Sequence, residues 1–298
     1  MATTIPSFDT AAISLREYLS LISKSVDLRD RDQVLESARY LKQLANNKQF
    51  LIEKFNHELL HWNDFQPANA YSSQTLTLGG GDGFLVRANM WAPLSEDDSL
   101  WELESKLFTY SQPHDHNFSF LTVGYWGSGY NTSIYECDPN DMIGYQGEEI
   151  DLQFLETTSL PEGKLMYYRA SRDIHSQEPP EEFSISINLL LLSPEISLNN
   201  QHWFDLEHHS ITGYVQQIPS AGRMMLCNTA KYIGNSTTAN ILEQLSKKHI
   251  FPRLRAAAFE SLAHLEPNSA PEVWNTALND KSNYVKHHAE KAISKLST

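Results

Sequence analysis

The feature that most constrains this chain is a stretch of about 150 residues, from Pro67 onward, in which short β-rich or alternating segments follow one another with turns between them and no helical period. The segments are TLTL (75–78), GFLVRANMW (83–91), LFTYSQPHDHNFSFLTVGYW (107–126), YNTSIYE (130–136), KLMYYRA (164–170), FSISINLLLL (183–192) and SITGYVQQI (210–218). A parallel sheet would need crossover helices between its strands, so this pattern predicts an antiparallel barrel or sandwich, a mainly β core. GGGDG (79–83) and WGSG (126–129) are followed by strand-like sequence, which makes them turns and excludes a phosphate loop, whose glycines must open a helix.

Both ends of the chain carry a helical period instead. LREYLSLI, DQVLESARYLKQLANN and KQFLIEKFNHELLHW predict three helices between Ser14 and Trp62. Near the other end, LRAAAFESLAHL from Leu254 aligns with VKHHAEKAISKL from Val285, pairing Ala258 with Ala289, Leu262 with Ile293 and Leu265 with Leu296. Each follows a shorter helical stretch, and the arrangement resembles HEAT-type repeats, helix pairs that bury their faces by stacking. The expected organisation is an N-terminal helical segment (1–66), a β-barrel (67–218) and C-terminal HEAT-like α-helical repeats (219–298), with the helical termini available for a protein partner or dimer contact.

Lys and Arg number 23 against 37 Asp and Glu, a formal charge of −14, which repels nucleic-acid phosphates and anionic membranes and leaves a small molecule or a protein as the expected partner. The two cysteines, Cys137 and Cys227, form no CxxC, so neither a disulfide framework nor a thiolate zinc site is expected. The longest apolar run, Leu189 to Leu192, is far short of a membrane helix, and the first residues lack the basic start of a signal peptide. The expected location is a reducing cytoplasm.

The strongest candidate site is His114-Asp115-His116. On a strand, residues two apart share a face, so both imidazoles would project together, in company with Phe108, Tyr110, Phe118 and Phe120. Two histidines on an apolar wall make two thirds of a metal site, and His175, 59 residues after His116, is the expected third ligand. Imidazole suits zinc, copper, nickel and iron alike, so the donors alone do not choose the metal.

The run of strands, the glycine turns, the HxH pair and the downstream histidine resemble a cupin, a double-stranded β-helix barrel, over roughly residues 75–195. Where the usual cupin motif has a glutamate, this chain has Phe120. The trio of neutral ligands that results is similar to that of the cysteine-dioxygenase-like branch, in which three histidines hold iron(II). The resemblance implies a mononuclear non-haem iron oxygenase that oxidises a small polar metabolite, for instance an amino-acid derivative, with O2. It also implies that Arg87 clamps a substrate carboxylate, with Tyr110 and Phe118 lining the substrate. The branch's Ser, His and Tyr set is absent, since Asn188, Leu190 and Leu192 stand in that stretch, and Leu121 replaces a cysteine found in some members. Together with the charge of −14, this shifts the expected substrate from cysteine towards an amine- or guanidine-bearing metabolite. A redox-inert metal cupin of isomerase type and a scaffold using its HEAT-like helices are the alternatives.

A rival motif, His57-Glu58-Leu59-Leu60-His61, matches the HExxH of zinc proteases. On a helix its histidines lie opposite the stripe of Leu51, Phe55, Leu59 and Trp62, which marks a solvated face. His208-His209 and His287-His288 are adjacent pairs pointing apart and are expected at the surface. His202 could line the barrel mouth, and Tyr125, Trp126 and Tyr130 flank the glycine turn, either as rim packing or as a substrate platform. The face on which Arg87 lies is left open, since both faces of its strand carry apolar residues.

Overall fold

Strand β1 (Thr3–Ile5) comes before any helix, so the first 66 residues are not wholly helical as expected. Helix α1 (Leu15–Ser25) then opens on a reciprocal cap: Glu17 N–H donates to Ser14 Oγ (3.2 Å) while Ser14 N–H donates to Glu17 Oε2 (2.8 Å). Helix α2 (Arg31–Asn46) starts where Asp30 accepts from the backbone N–H groups of Asp32 and Gln33, and buries Val34, Ala38, Leu41, Leu44 and Ala45 along one face. Helix α3 (Gln49–Leu60) completes the trio. The computed structural model describes residues 2–66, 69, 71, 73–95, 98–192, 199–215 and 218–296; Pro67, where the pattern changes, lies outside the described residues.

The central elements are β2 (Thr75–Gly81), β3 (Phe84–Trp91), α4 (Asp98–Phe108), β4 (Phe120–Trp126), β5 (Asn131–Glu136), β6 (Gln153–Ser159), β7 (Leu165–Tyr168), β8 (Asp173–Glu178), β9 (Ser184–Leu191), β10 (His202–Asp205) and β11 (Ser210–Tyr214). An antiparallel six-stranded sheet runs β1-β7-β4-β9-β3-β2, and smaller antiparallel sheets are β6-β5-β8 and β10-β11. Asp82 and Gly83 form the two-residue turn between β2 and β3, with Gly83 at φ +77° where a side chain would be strained.

The six-stranded sheet is buried on both faces, which explains the unbroken apolar run of β9. Ile187 and Leu189 turn outward and pack, with Phe84, Val86, Leu121 and Val123, against Tyr18, Ile22, Leu41 and Leu44 of the N-terminal helices. Leu190 turns inward to a second cluster with Trp91, Phe118, Phe120, Met166, Tyr168, and Tyr130 and Ile134 from the β5 side. Each fully buried leucine contributes roughly 1.5–3 kcal/mol, so the helical trio is bound to the sheet by a continuous apolar layer.

Two expectations about this region are corrected. A helix, α4, interrupts the β-rich stretch and takes in Leu107 and Phe108, because Glu104, Lys106 and Leu107 are strong helix formers whatever follows them. The residues between α4 and β4 form no regular strand: Thr109 and Ser111 adopt positive φ (60° and 54°), and Pro113 has no N–H for a ladder. His114 is held instead by isolated bridges to His175 and Trp203.

The C-terminal helices are α5 (Ile218–Ile233), α6 (Ser236–Lys248), α7 (Pro252–Leu265), α8 (Ala270–Leu278) and α9 (Asn283–Leu296). The two aligned segments fall on α7 and α9, and Ala258 and Ala289 are both fully buried. Arg255, itself buried, forks onto Asp280 (2.8 and 2.7 Å) and donates to the carbonyls of His249 and Ile250, joining α6, α7 and the end of α8. Among the described residues no helix is long and apolar enough to cross a membrane.

Glu260 of α7 ties α9 and α5 together, through His288 (3.5 Å) and Lys231 (3.1 Å). The hydrogen bond from His288, then that from Lys231, holds its carboxyl at about 2, against an ordinary 4.5. A depressed folded-state value means the contribution is complete above pH 4.5 and is lost as pH falls towards 2. Glu260→Gln should therefore flatten the acid limb of the helical region's unfolding within that window, read by far-ultraviolet circular dichroism; because the carboxylate is half exposed, the effect should be small and salt-sensitive.

Candidate metal centre

His175 sits in the middle of β8, opposite Ile134 of β5, and the HxH segment is laced to it by backbone bonds. His114 N–H donates to the His175 carbonyl (3.0 Å) and His175 N–H to the His114 carbonyl (2.9 Å). The rings converge: centroids lie 4.9 Å apart for His114 and His116, 4.6 Å for His114 and His175, and 5.1 Å for His116 and His175. One donor nitrogen from each lies within 4.8 Å of the others, and the Nε2 atoms of His116 and His175 are 3.2 Å apart. Metal–imidazole bonds of about 2.0–2.1 Å place neighbouring donors about 3 Å apart, so this pair is already at ligating separation.

Burial, more than any neighbouring charge, holds the His114 imidazole below its ordinary value and those of His116 and His175 well below it. All three are therefore neutral at physiological pH, which is the metal-binding form. Two Nδ1 atoms face acceptors: that of His114 the Gln112 carbonyl (2.8 Å), that of His116 the Gln201 side-chain oxygen (3.0 Å). With the ring proton spent there, the Nε2 lone pairs are left for the centre. The residues present fit a first-row transition metal ion held by three neutral nitrogens.

Arg87, whose orientation the sequence leaves open, faces this interior. Phe84, Val86 and Ala88 pack on the helices, while Leu85 and Trp91 join the inner cluster on Arg87's side of β3. The guanidinium is close enough to all three imidazoles to oppose their protonation. Its residue is 9% exposed, its Nε has no hydrogen-bond partner, and no ion pair engages it among the described residues. The Tyr71 ring covers it at 4.6 Å. The buried Asp115 and Asp173 are engaged elsewhere: Asp115 accepts from His202 N–H (2.5 Å) and faces His202 Nδ1 (3.3 Å), and Asp173 is paired with Arg169.

Aromatic rings complete the wall. Phe118 stacks on His116 (4.8 Å, 23°), and Tyr168 stacks on Phe120 (4.7 Å, 5°) while lying 4.9 Å from His175. Tyr110 is buried beside Trp91, but its hydroxyl already donates to the Ala92 carbonyl (2.8 Å). Burial pushes the Tyr130 and Tyr168 hydroxyls upward, so both stay protonated.

The remaining histidines lie elsewhere. His57 and His61 meet at a tilt (4.4 Å, 34°) at the exposed surface of α3, where Leu59 is exposed too, so the expected apolar stripe does not extend along the whole helix. His208 and His209 are exposed, His287 stacks on Tyr145, and His288 meets Glu260. His202 is buried behind the centre as the partner of Asp115. Tyr125 donates to the Lys48 carbonyl (2.7 Å) and packs β4 on α3, and Trp126 is exposed. Sequence reasoning missed Gln201, because no spacing links a glutamine to a histidine 85 residues away; Gln112 and Gln177 lie only two residues from His114 and His175, where nothing in their residue type marks a contact to the ring.

No protein-family model matches the chain, and no curated protein matches it. Among solved structures, similarity is found to a hydroquinone 1,2-dioxygenase from Sphingomonas sp. TTNP3 (8% identity, 42% of this chain and 68% of that one, TM-score 0.27). A salicylate 1,2-dioxygenase from Pseudaminobacter salicylatoxidans (12%, 48% and 33%, TM-score 0.26) and an 11S globulin from Wrightia tinctoria (9%, 42% and 27%, TM-score 0.25) are similar at the same level. The chain thus spans a third or less of the latter two proteins. At such scores the likeness decides neither the fold family nor the chemistry of this chain, which rest on its own residues.

Proposed function

We propose that the protein is a mononuclear non-haem metal oxygenase of the cupin type, with His114, His116 and His175 as ligands, iron(II) as the metal, and a small carboxylate-bearing metabolite and O2 as substrates. The observation that carries this reading is the convergence of three neutral imidazoles, His114 and His175 buried and His116 partly so, beside a buried guanidinium that has no carboxylate partner among the described residues. The partition at 66/67 and 218/219 and a HEAT-like stacking of the last helices belong to the same reading.

Charge argues for the substrate class. A divalent ion on three neutral ligands, with Arg87 beside it, leaves an interior strongly positive, and an anion is what such a site attracts. The surface charge of −14 favours cationic molecules outside, but the described interior offers an ammonium group no free carboxylate, so the substrate's anionic group decides its placement. Arg87 holds the carboxylate and orients the remainder of the molecule towards the histidines. Phe118, Phe120 and Tyr168 exclude water, and the Tyr130 hydroxyl stands as a protonated donor at the wall, that of Tyr168 donating to Met166 Sδ (3.9 Å). Bound iron(II) would supply the one-electron chemistry that allows O2 to react with a closed-shell substrate.

Metal analysis of the purified protein, together with oxygen uptake against small carboxylates, amino acids and amines, tests the proposal. Iron accompanied by carboxylate-dependent uptake is expected. Zinc or nickel without uptake would replace the oxygenase by a redox-inert cupin, and absence of any bound metal would leave a binding module.

A further inference from the structure

Resting on the metal reading above, we infer that Gln201 is a positioning residue: its side-chain oxygen sets the tautomer of His116 and so aims that ligand's Nε2 lone pair at the centre. Gln201 is 7% exposed, and its Oε1 lies 3.0 Å from His116 Nδ1. The two phenylalanine rings against this imidazole cannot make that choice. Phe118 stacks on its face and Phe120 meets it edge-on at 5.2 Å, which fixes the ring's plane while leaving its two nitrogens equivalent.

The three ligands differ in this respect. For His114 the acceptor is a backbone carbonyl, which no side-chain change removes. For His175 the Gln177 amide nitrogen lies 3.3 Å from both ring nitrogens and does not distinguish them. Only for His116 does a single side chain select the protonated nitrogen. Without it, a proton on His116 Nε2 would be drawn to His175 Nε2, 3.2 Å away, and the donor would be blocked.

The backbone that carries Gln201 is itself pinned to the ligand segment. Asp115, between the two ligands, accepts from His202 N–H and donates its own N–H to the His202 carbonyl (3.3 Å), while Val215 N–H donates to the Gln201 carbonyl (2.9 Å). The acceptor is also uncharged. A carboxylate would fix the same tautomer but place negative charge beside the imidazole, lowering the site's attraction for an anion; an amide gives direction without that charge.

The experiment compares wild type, Gln201→Leu and Gln201→Glu. In the metal-free proteins, 15N NMR of the imidazoles reports which nitrogen carries the proton. In parallel, Co(II) is titrated and its visible spectrum recorded. Wild type should show His116 protonated at Nδ1. Gln201→Leu should move the proton to Nε2 and weaken Co(II) binding by roughly 10- to 100-fold, the usual cost of losing a ligand's hydrogen-bond partner. Gln201→Glu should restore both the tautomer and the affinity, with a changed Co(II) spectrum. Wild type that takes up no Co(II) overturns the metal reading and this role with it. Wild type that binds Co(II) while Gln201→Leu keeps the same tautomer and affinity overturns this assignment alone. Equal loss of tautomer and affinity in Leu and Glu variants overturns it also, since only packing would then be at stake.

Discussion

A His175→Ala protein should take up no metal ion under conditions in which wild type binds one, and should nonetheless remain folded. The backbone bonds between His175 and His114 do not involve the side chain, and the imidazole is neutral, so its removal strands no charge. What is lost is one of three converging donors, and two are too few to hold a divalent ion against water. His116→Ala should behave alike, whereas His57→Ala and His61→Ala should bind as wild type does, because their rings lie at the surface of α3. Atomic absorption on desalted protein, with circular dichroism as the check on folding, decides it. Retained stoichiometric metal in the His175 variant, or its loss in the His57 variant, would refute the centre.

Arg87→Met should change stability and ligand response in opposite directions. Arg87 has no ion-pair partner among the described residues, a guanidinium buried in that way is costly to the folded state, and burial already lowers its proton affinity. A methionine of similar length removes that cost, so the ligand-free variant should melt higher than wild type. The same change should weaken binding of a carboxylate substrate by on the order of 2 to 5 kcal/mol, the range for deleting one partner of a buried charged pair, and appear as a large rise in KM. Differential scanning fluorimetry with and without substrate separates the two effects. A variant that melts lower than wild type and still responds to the carboxylate would show that Arg87 is structural.

The convergence of the three histidines was legible because HxH brings two imidazoles near each other even in an irregular segment; the strand invoked to explain it is absent, yet Phe118 and Phe120 still reach the interior. The orientation of Arg87 was not legible, since alternation identifies a face only when one side is wet, and β3 packs on both sides. Strand β8 escaped notice because DIHSQE reads as polar, though five of its six residues are buried and held by neighbours rather than by water. Helix α4 was overlooked because the β-rich composition of Leu107 to Tyr110 outweighed the helix formers before it. Gln201 could not be found from sequence, because its role exists only through a contact 85 residues away.

That separation bears on when the centre can come into being. Its members are joined by contacts spanning 59, 85 and 87 residues, so no short piece of the chain assembles it. Closing the longest of these loops rather than the shortest costs only about 0.3 kcal/mol more in chain entropy, a small matter for final stability. The order of events is another matter, since contacts so distant in sequence are slow to form. During synthesis the imidazoles cannot be clamped until the segment around His202 has left the ribosome and docked. A metal ion held by these histidines would, on this view, arrive as the last component of a finished protein and take no part in nucleating its fold.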